Sequence, residues 1–271
     1  MRISNKEYRT PNTEVFTIFV DVRIVCFLLL PALFLASCRE ASKAEAEIVL
    51  ITVDTLDREW VARELDAINA FEPKVVAIDL QFSEKMDPRK DVILLLALKY
   101  TQNLFMVSVI DDYGDGASGH YDRFTLGSLP AFLDNAQTGF ANTIIEENEL
   151  RTLNRFATHA HVAGNIEYQF GVRVAMAFDS LRAMRYIAQH PRIVEVDYHR
   201  GKRQFKVLSS ADVLSGKISR KDIEGKIVML GFLGPGLQDK FYTPLNTNSD
   251  EPDMYGLVYL AHIVAQILES E

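Results

Sequence analysis

The sequence predicts an α/β fold: a mainly parallel, three-layer sheet with helices on both faces and an added antiparallel hairpin. Three observations carry this. Four runs, Ile48 to Val53, Val75 to Phe82, Leu104 to Val109 and Ile227 to Gly231, are apolar or β-branched at nearly every position, as strands covered on both faces must be. Helical spacing fills the stretches between the first three. Acids stand at the ends of two runs, Asp54 and Asp79, where open α/β sheets place their ligand crevice.

The first run ends in Asp54, and Asp57 caps the following helix. In that helix Val61, Leu65 and Ile68 recur at helical spacing, while Glu59, Glu64 and Asp66 are expected outside. Glu72-Pro73 stops it, and strand, helix, strand makes a βαβ unit. Asp79 then needs a partner or water to be tolerated in so apolar a strand. Pro88 opens a helix reaching Tyr100, with Val92, Leu95 and Leu96 expected on its inner side, and Asn103 precedes the third strand.

Asp111 to about Leu129 reads as a polar loop. Asp111, Asp115, Gly116 and Asp122 fall on a calcium-loop template, but Tyr113 occupies a ligand position, and a turn-rich surface loop is the ordinary reading. Gly139 to Ile145 predicts a strand, and Leu153 to Val162 an antiparallel extension of it. His159 and His161 share a face there, yet no third ligand stands at metal-site spacing. Tyr168 to His190 reads as one helix ended by Pro191. Ile193 to Tyr198 and Gln204 to Leu208 are expected to form the hairpin around the basic turn His199-Arg200-Gly201-Lys202-Arg203, and Ser210 to cap a short helix closed by Gly216.

Glycines directly after the Ile227 strand, Gly231, Gly234 and Gly236, let backbone approach a ligand. The spacing fails the phosphate-loop pattern, and Pro235 removes a donor. Asp239 follows. Met254 to Leu268 is an apolar helix on which Val258, His262 and Gln266 align at four-residue steps.

A formal charge of -8 over 271 residues, with only the short basic turn as a positive cluster, argues against nucleic-acid binding. The amino-terminal part reads differently from the rest. Ile24 to Ala36, preceded by Arg23 and interrupted by Pro31, is thirteen residues long, too short to span a bilayer and about the length of a signal-peptide core. It ends in Leu35-Ala36-Ser37-Cys38, which resembles a bacterial lipobox and implies a mature chain starting at a lipidated Cys38. An ordinary cysteine behind an uncleaved anchor is the alternative. The region before Arg23 is long and carries Glu7, Glu14 and Asp21, which is untypical of a signal peptide and puts an alternative translation start nearer Val20. Residues 1–37 are thus a signal peptide, 38–47 a polar tether and 48–271 the folded domain. With Cys26 removed, no disulfide and no thiol chemistry are expected. The lack of Asp after the cysteine favours the outer membrane by resemblance to enterobacterial sorting.

The ordered set Ile51-Thr52-Val53-Asp54, Pro73 to Glu84, Gly139-Phe140-Ala141-Asn142, Ser210 to Gly216, Gly225 to Gly231 and Asp239 to Pro244 resembles the type-two CHASE domain. This is the extracytoplasmic sensory module usually attached to adenylate cyclases and to histidine or serine/threonine kinases. Departures are specific. The family's Trp-Pro-Trp-Pro-Arg element is present only as Arg58-Glu59-Trp60. Its Gly-Val-x-x-His-Ala-Asn pattern becomes Gly256 to His262, with Leu260 at the histidine position and His262 at the asparagine position. Members usually continue into three membrane helices and an output domain, and this chain stops at Glu271.

The lipobox-like run and the family resemblance together imply a lipid-anchored, periplasm-facing sensory domain without its own output domain, acting in signal transduction through a membrane partner. Its unknown small-molecule ligand would be bound by Asp54, Asp79, Gly231, Gly234, Gly236, Asp239 and His262. Capping of nearby amides is the structural alternative for Asp54 and Asp79. No cofactor is implied. A second class is a metal-dependent hydrolase using Asp54, Asp79, Asp239 and His262, although no nucleophile motif is present. A third is a subunit docking onto a membrane complex through the apolar face of the last helix, with Leu257 and Leu260 in the contact.

Overall fold

Seven strands make up the central sheet, and alternate residues of its parallel strands feed two different cores. The structure, a computed structural model, describes residues 43–111, 120–125, 127–198, 205–235, 239–246 and 250–270. These lie within one unit, Ala41–Glu271. The lipobox with Cys38, most of the candidate calcium loop, the basic turn 199–203 and Gly236 lie outside the described residues.

A short helix α1 (Lys43–Ala46) leads into β1 (Ile48–Thr52), so the end of the expected tether is helical, with Ala44 buried. Then follow α2 (Arg58–Asn69), β2 (Val75–Asp79), α3 (Pro88–Tyr100) and β3 (Leu104–Asp111). The middle of the chain holds β4 (His120–Tyr121), β5 (Arg123–Thr125), α4 (Pro130–Leu133), β6 (Gln137–Phe140), β7 (Ile144–Ile145), β8 (Leu153–Ala157), β9 (His159–Val162) and β10 (Asn165–Tyr168). After α5 (Phe170–Phe178) and α6 (Ser180–Gln189) come β11 (Ile193–Glu195), β12 (Lys206–Ser209), α7 (Ser210–Leu214), α8 (Arg220–Ile223) and β13 (Ile227–Gly231). The chain closes with β14 (Lys240–Phe241), β15 (Met254–Tyr255) and α9 (Gly256–Glu269).

The sheet runs β12, β1, β13, β2, β3, β6, all parallel, and β5 adds antiparallel beside the far half of β3. Period-two alternation divides each strand between the layers. Ile48, Leu50, Val75, Ala77, Ile227 and Met229 face α5, α6 and α9. Val49, Ile51, Val76, Ile78, Val228 and Leu230 face α2, α3, α7 and α8. The predicted three-layer α/β class is therefore the fold observed.

Several elements differ from expectation. Ile193 to Tyr198 and the segment ending at Leu208 do not form the hairpin: β11 pairs with β8, and β12 joins the edge of the parallel sheet beside β1. The antiparallel hairpin is instead β9–β10. Its two turn residues, Ala163 (φ 47) and Gly164 (φ 84), both have positive φ, which matches a tight turn to the strand twist. Gly139 to Ile145 breaks into β6 in the main sheet and β7 in a small one, and Tyr168 to His190 breaks at Asp179, whose carboxylate caps α6 through Arg182 N.

Two helix faces also differ. In α3 the core side is Leu94, Ala97 and Leu98, whereas Val92 and Leu96 are about half exposed, at 53% and 47%. In α2, Glu64 is fully buried beside Leu65, not outside.

Candidate functional site

Strand register places the site. Thr52, Gly231 and Asp79 stand in one row across β1, β13 and β2, so three strands end level and their following loops open on the same edge. Gly231 fills the middle of that row for a packing reason. A Cβ there would stand 3.1 Å from a Leu257 methyl and 3.3 Å from Asp79 Cβ, so glycine lets the first turn of α9 descend onto the strand ends.

Asp239 reaches the same place from the loop after β13. The β14–β15 ribbon pairs Lys240 with Tyr255 and Phe241 with Met254, which holds Asp239, at φ 58, over the start of α9. Gly256 N–H donates to the Asp239 carbonyl at 2.9 Å, and a Cβ on Gly256 would lie 2.8 Å from Asp239 Oδ2. The residue as a whole is exposed while its carboxylate rests on the helix amino terminus, a favourable position for negative charge.

Two cavities meet at Asp239. The larger, about 380 Å³, is lined by Asp79, Gln81, Asn142, Thr143, Phe241, Tyr259 and Leu260 among others, and the smaller, about 320 Å³, by Asp54, Leu56, Leu80 and Phe232. Burial pushes the Asp79 carboxyl up to about 7, and the nearby Asp239 charge adds to the rise. Asp239 is raised to about 6, again by desolvation, against the pull of the Gly256 N–H. Two acids with raised affinity for protons on one crevice form an acceptor-rich site that a ligand's donors can satisfy.

The remaining candidates divide. Asp54 is exposed in the smaller cavity, and the cap of α2 is Asp57, which accepts from Glu59 N and Trp60 N. Gly234 presents its carbonyl to Tyr255 Oη at 2.6 Å, which pins the glycine turn to β15. His262 lines neither cavity. It is buried one helical turn or more beyond Gly256, with its ring 5.5 Å from those of Tyr198 and Phe205. The four-residue hydrolase constellation is therefore not assembled, and among the described residues no group of three His, Cys, Asp or Glu gathers to hold a metal. Leu257 and Leu260 are core residues, so the apolar face of α9 is covered by the sheet and α5 and offers no docking surface.

Sequence reasoning missed Tyr259, Phe241 and Asn142. Asn142 had a signal in the Gly-Phe-Ala-Asn motif: its amide oxygen accepts from Ile110 N and its nitrogen donates to Ile110 O, prolonging the β3–β6 ladder past Ala141. It also missed the polar cluster behind the rim. The Ser210 hydroxyl donates to Glu64 and accepts from Trp60 Nε1 at 2.7 Å, and burial raises Glu64 to about 7 with help from Asp54. The expected cap of α7 is Ser209 rather than Ser210.

A parallel sheet with a crevice beyond its strand ends defines an open α/β domain. The chain belongs to the CHASE2 family: residues 33–271 match the model of the CHASE2 domain, an extracytoplasmic sensory domain. The match begins inside the segment expected to be a signal peptide. No curated protein and no solved structure matches the chain. No helix among the described residues is long and apolar enough to cross a membrane.

Proposed function

We propose that this CHASE2 domain is a lipid-anchored sensor whose small-molecule ligand seats in the crevice around Asp79 and Asp239. The observation that carries the reading is the convergence of Thr52, Gly231 and Asp79 in one row with Asp239 poised above the start of α9. Lipidation at Cys38 after removal of residues 1–37, a location on the outer membrane facing the periplasm, and a membrane partner that receives the signal complete the proposal. The lipobox-like Leu35 to Cys38 run supports the anchor.

Native mass spectrometry of the protein purified from its own cell envelope tests the ligand reading. A reproducible bound mass, lost on Asp79→Asn with Asp239→Asn in a folded protein, is the expected result, and an empty crevice in every preparation would overturn it. The intact mass of the same sample reads the anchor, as a diacylglyceryl group on Cys38.

A second reading, docking onto a membrane complex, draws on a different surface from the one expected. Val92, Ile93, Leu96 and Tyr100 of α3 are exposed, at 53%, 40%, 47% and 73%, along one side of the helix.

A further inference from the structure

We infer that the crevice between Asp79 and Asp239 takes a small organic cation, an alkylammonium held between the two carboxylates and packed against Phe241 and Tyr259. This rests on the proposal that the crevice is the ligand site, and it adds the chemistry of what enters.

Charge comes first. Both acids line the same cavity of about 380 Å³, and no Lys, Arg or His lines it among the described residues. Asp79 is desolvated by its surroundings, and among the described residues no donor reaches its carboxylate, whose one charged neighbour is the other acid. Asp79 is only partly buried and lines the cavity, so its carboxylate oxygens are open to a donor brought by something else.

The helix amino terminus argues against the opposite charge. An anionic ligand would be drawn to the start of α9, but that place is already filled by the protein's own Asp239 carboxylate, which stands 2.8 Å from where a Gly256 Cβ would be. Hydrogen-bonding capacity points the same way. The Asn142 amide is engaged with both backbone groups of Ile110, and the Tyr259 hydroxyl donates to the Arg155 carbonyl at 3.1 Å. Gln81 and Thr143 add neutral side chains that can donate or accept, so the charges lining the cavity among the described residues are the two carboxylates.

An ammonium suits this better than a hard divalent ion. Such a metal asks for six or more oxygen ligands, and no group of three acids or imidazoles gathers among the described residues. An ammonium carries three donors, which two carboxylates can accept, and aromatic faces attract cations. Phe241, Tyr259 and Leu260 supply apolar wall for the carbon chain.

The test is thermal melting of the full chain with 1,4-diaminobutane and with ethanolamine, against sodium acetate, phosphate, glucose, magnesium and calcium. At millimolar ligand an amine is expected to raise the midpoint by about 3 °C or more, and the rise should vanish in Asp79→Asn and in Asp239→Asn. Asp239→Asn, on a loop, serves alone if Asp79→Asn does not fold. No rise with either amine, or a rise that survives Asp239→Asn, would overturn the assignment. A rise with phosphate, glucose or a divalent ion that needs the same two acids would overturn the cation while leaving the crevice as the site. Envelope extract that gives neither a shift nor a bound mass would remove the site itself.

Discussion

Asp239 and Gly256 are matched to one another: the carboxylate occupies the space a Gly256 side chain would need, 2.8 Å from its Oδ2, while Gly256 N–H donates to the Asp239 carbonyl. Alanine at the first position of a helix normally helps, by up to about 1 kcal/mol. Here Gly256→Ala should instead cost roughly 1–3 kcal/mol, as overpacking does. In an Asp239→Gly background the same change should become neutral or stabilising. Urea melts of the four proteins in the cycle measure the coupling. Equal effects of Gly256→Ala in both backgrounds would show that the two residues do not constrain each other.

The Asp79 and Asp239 carboxyls make stability depend on pH in a set direction. Both folded values, about 7 and about 6, lie above the ordinary value of 3.8, so the folded chain binds more protons than the unfolded one across that window. Their contribution is present below about pH 4 and is lost as pH rises through 6 to 7. Asp79→Asn should therefore gain roughly 2–3 kcal/mol over the native chain at pH 8 and little at pH 4. Denaturant midpoints at the two pH values decide it, and a gain that is the same at both would be inconsistent with a desolvated acid whose affinity for protons rises on folding.

Ser210 donates to the fully buried Glu64 and accepts from Trp60 Nε1, so Ser210→Ala should cost about 1–3 kcal/mol. Glu64→Gln keeps an acceptor for the hydroxyl without a charge. It should be neutral at pH 5 and stabilising at pH 8, because Glu64 titrates near 7 in the fold. Tryptophan fluorescence of Trp60 follows both changes directly, since it is the chain's single tryptophan.

Arg58 ties the crevice loops together. Only 4% exposed, it donates to the Leu56 and Glu84 carbonyls, pairs with Asp91 at 3.4 Å and stacks 4.6 Å from the Phe82 ring centre. Arg58→Lys cannot reproduce that fork or the stacking. It should cost about 2–4 kcal/mol and speed hydrogen exchange in residues 53–57 and 80–86. Unchanged exchange in both loops would show that they hold themselves.

The sheet was legible because its strands are apolar on both faces and separated by punctuation such as Glu72-Pro73 and Asp87-Pro88. The face of α3 was not, because Val92 to Leu98 is apolar throughout and spacing alone cannot pick a side. Burial of Glu64 could have been read: Val61, Glu64, Leu65 and Ile68 follow the spacing of a buried stripe, and only the charge argued otherwise. His262 misled for the converse reason. Val258 and Gln266 do lie on the less buried side of α9, but His262 between them is buried against Tyr198 and Phe205, so their alignment gave it no route to the crevice. The meeting of Asp79 with Asp239 depends on the β14–β15 ribbon, two residues per strand, too short to leave a pattern.

Hydrogen–deuterium exchange of the full chain, with and without the low-molecular-weight fraction of its own envelope, tests most directly where this CHASE2 domain binds. Slowed exchange at residues 231–234, 239–241 and 256–260, with no change along α3, is the expected result. Protection confined to Val92 through Tyr100, with the crevice unaffected, would contradict it and make the exposed side of α3 the working surface.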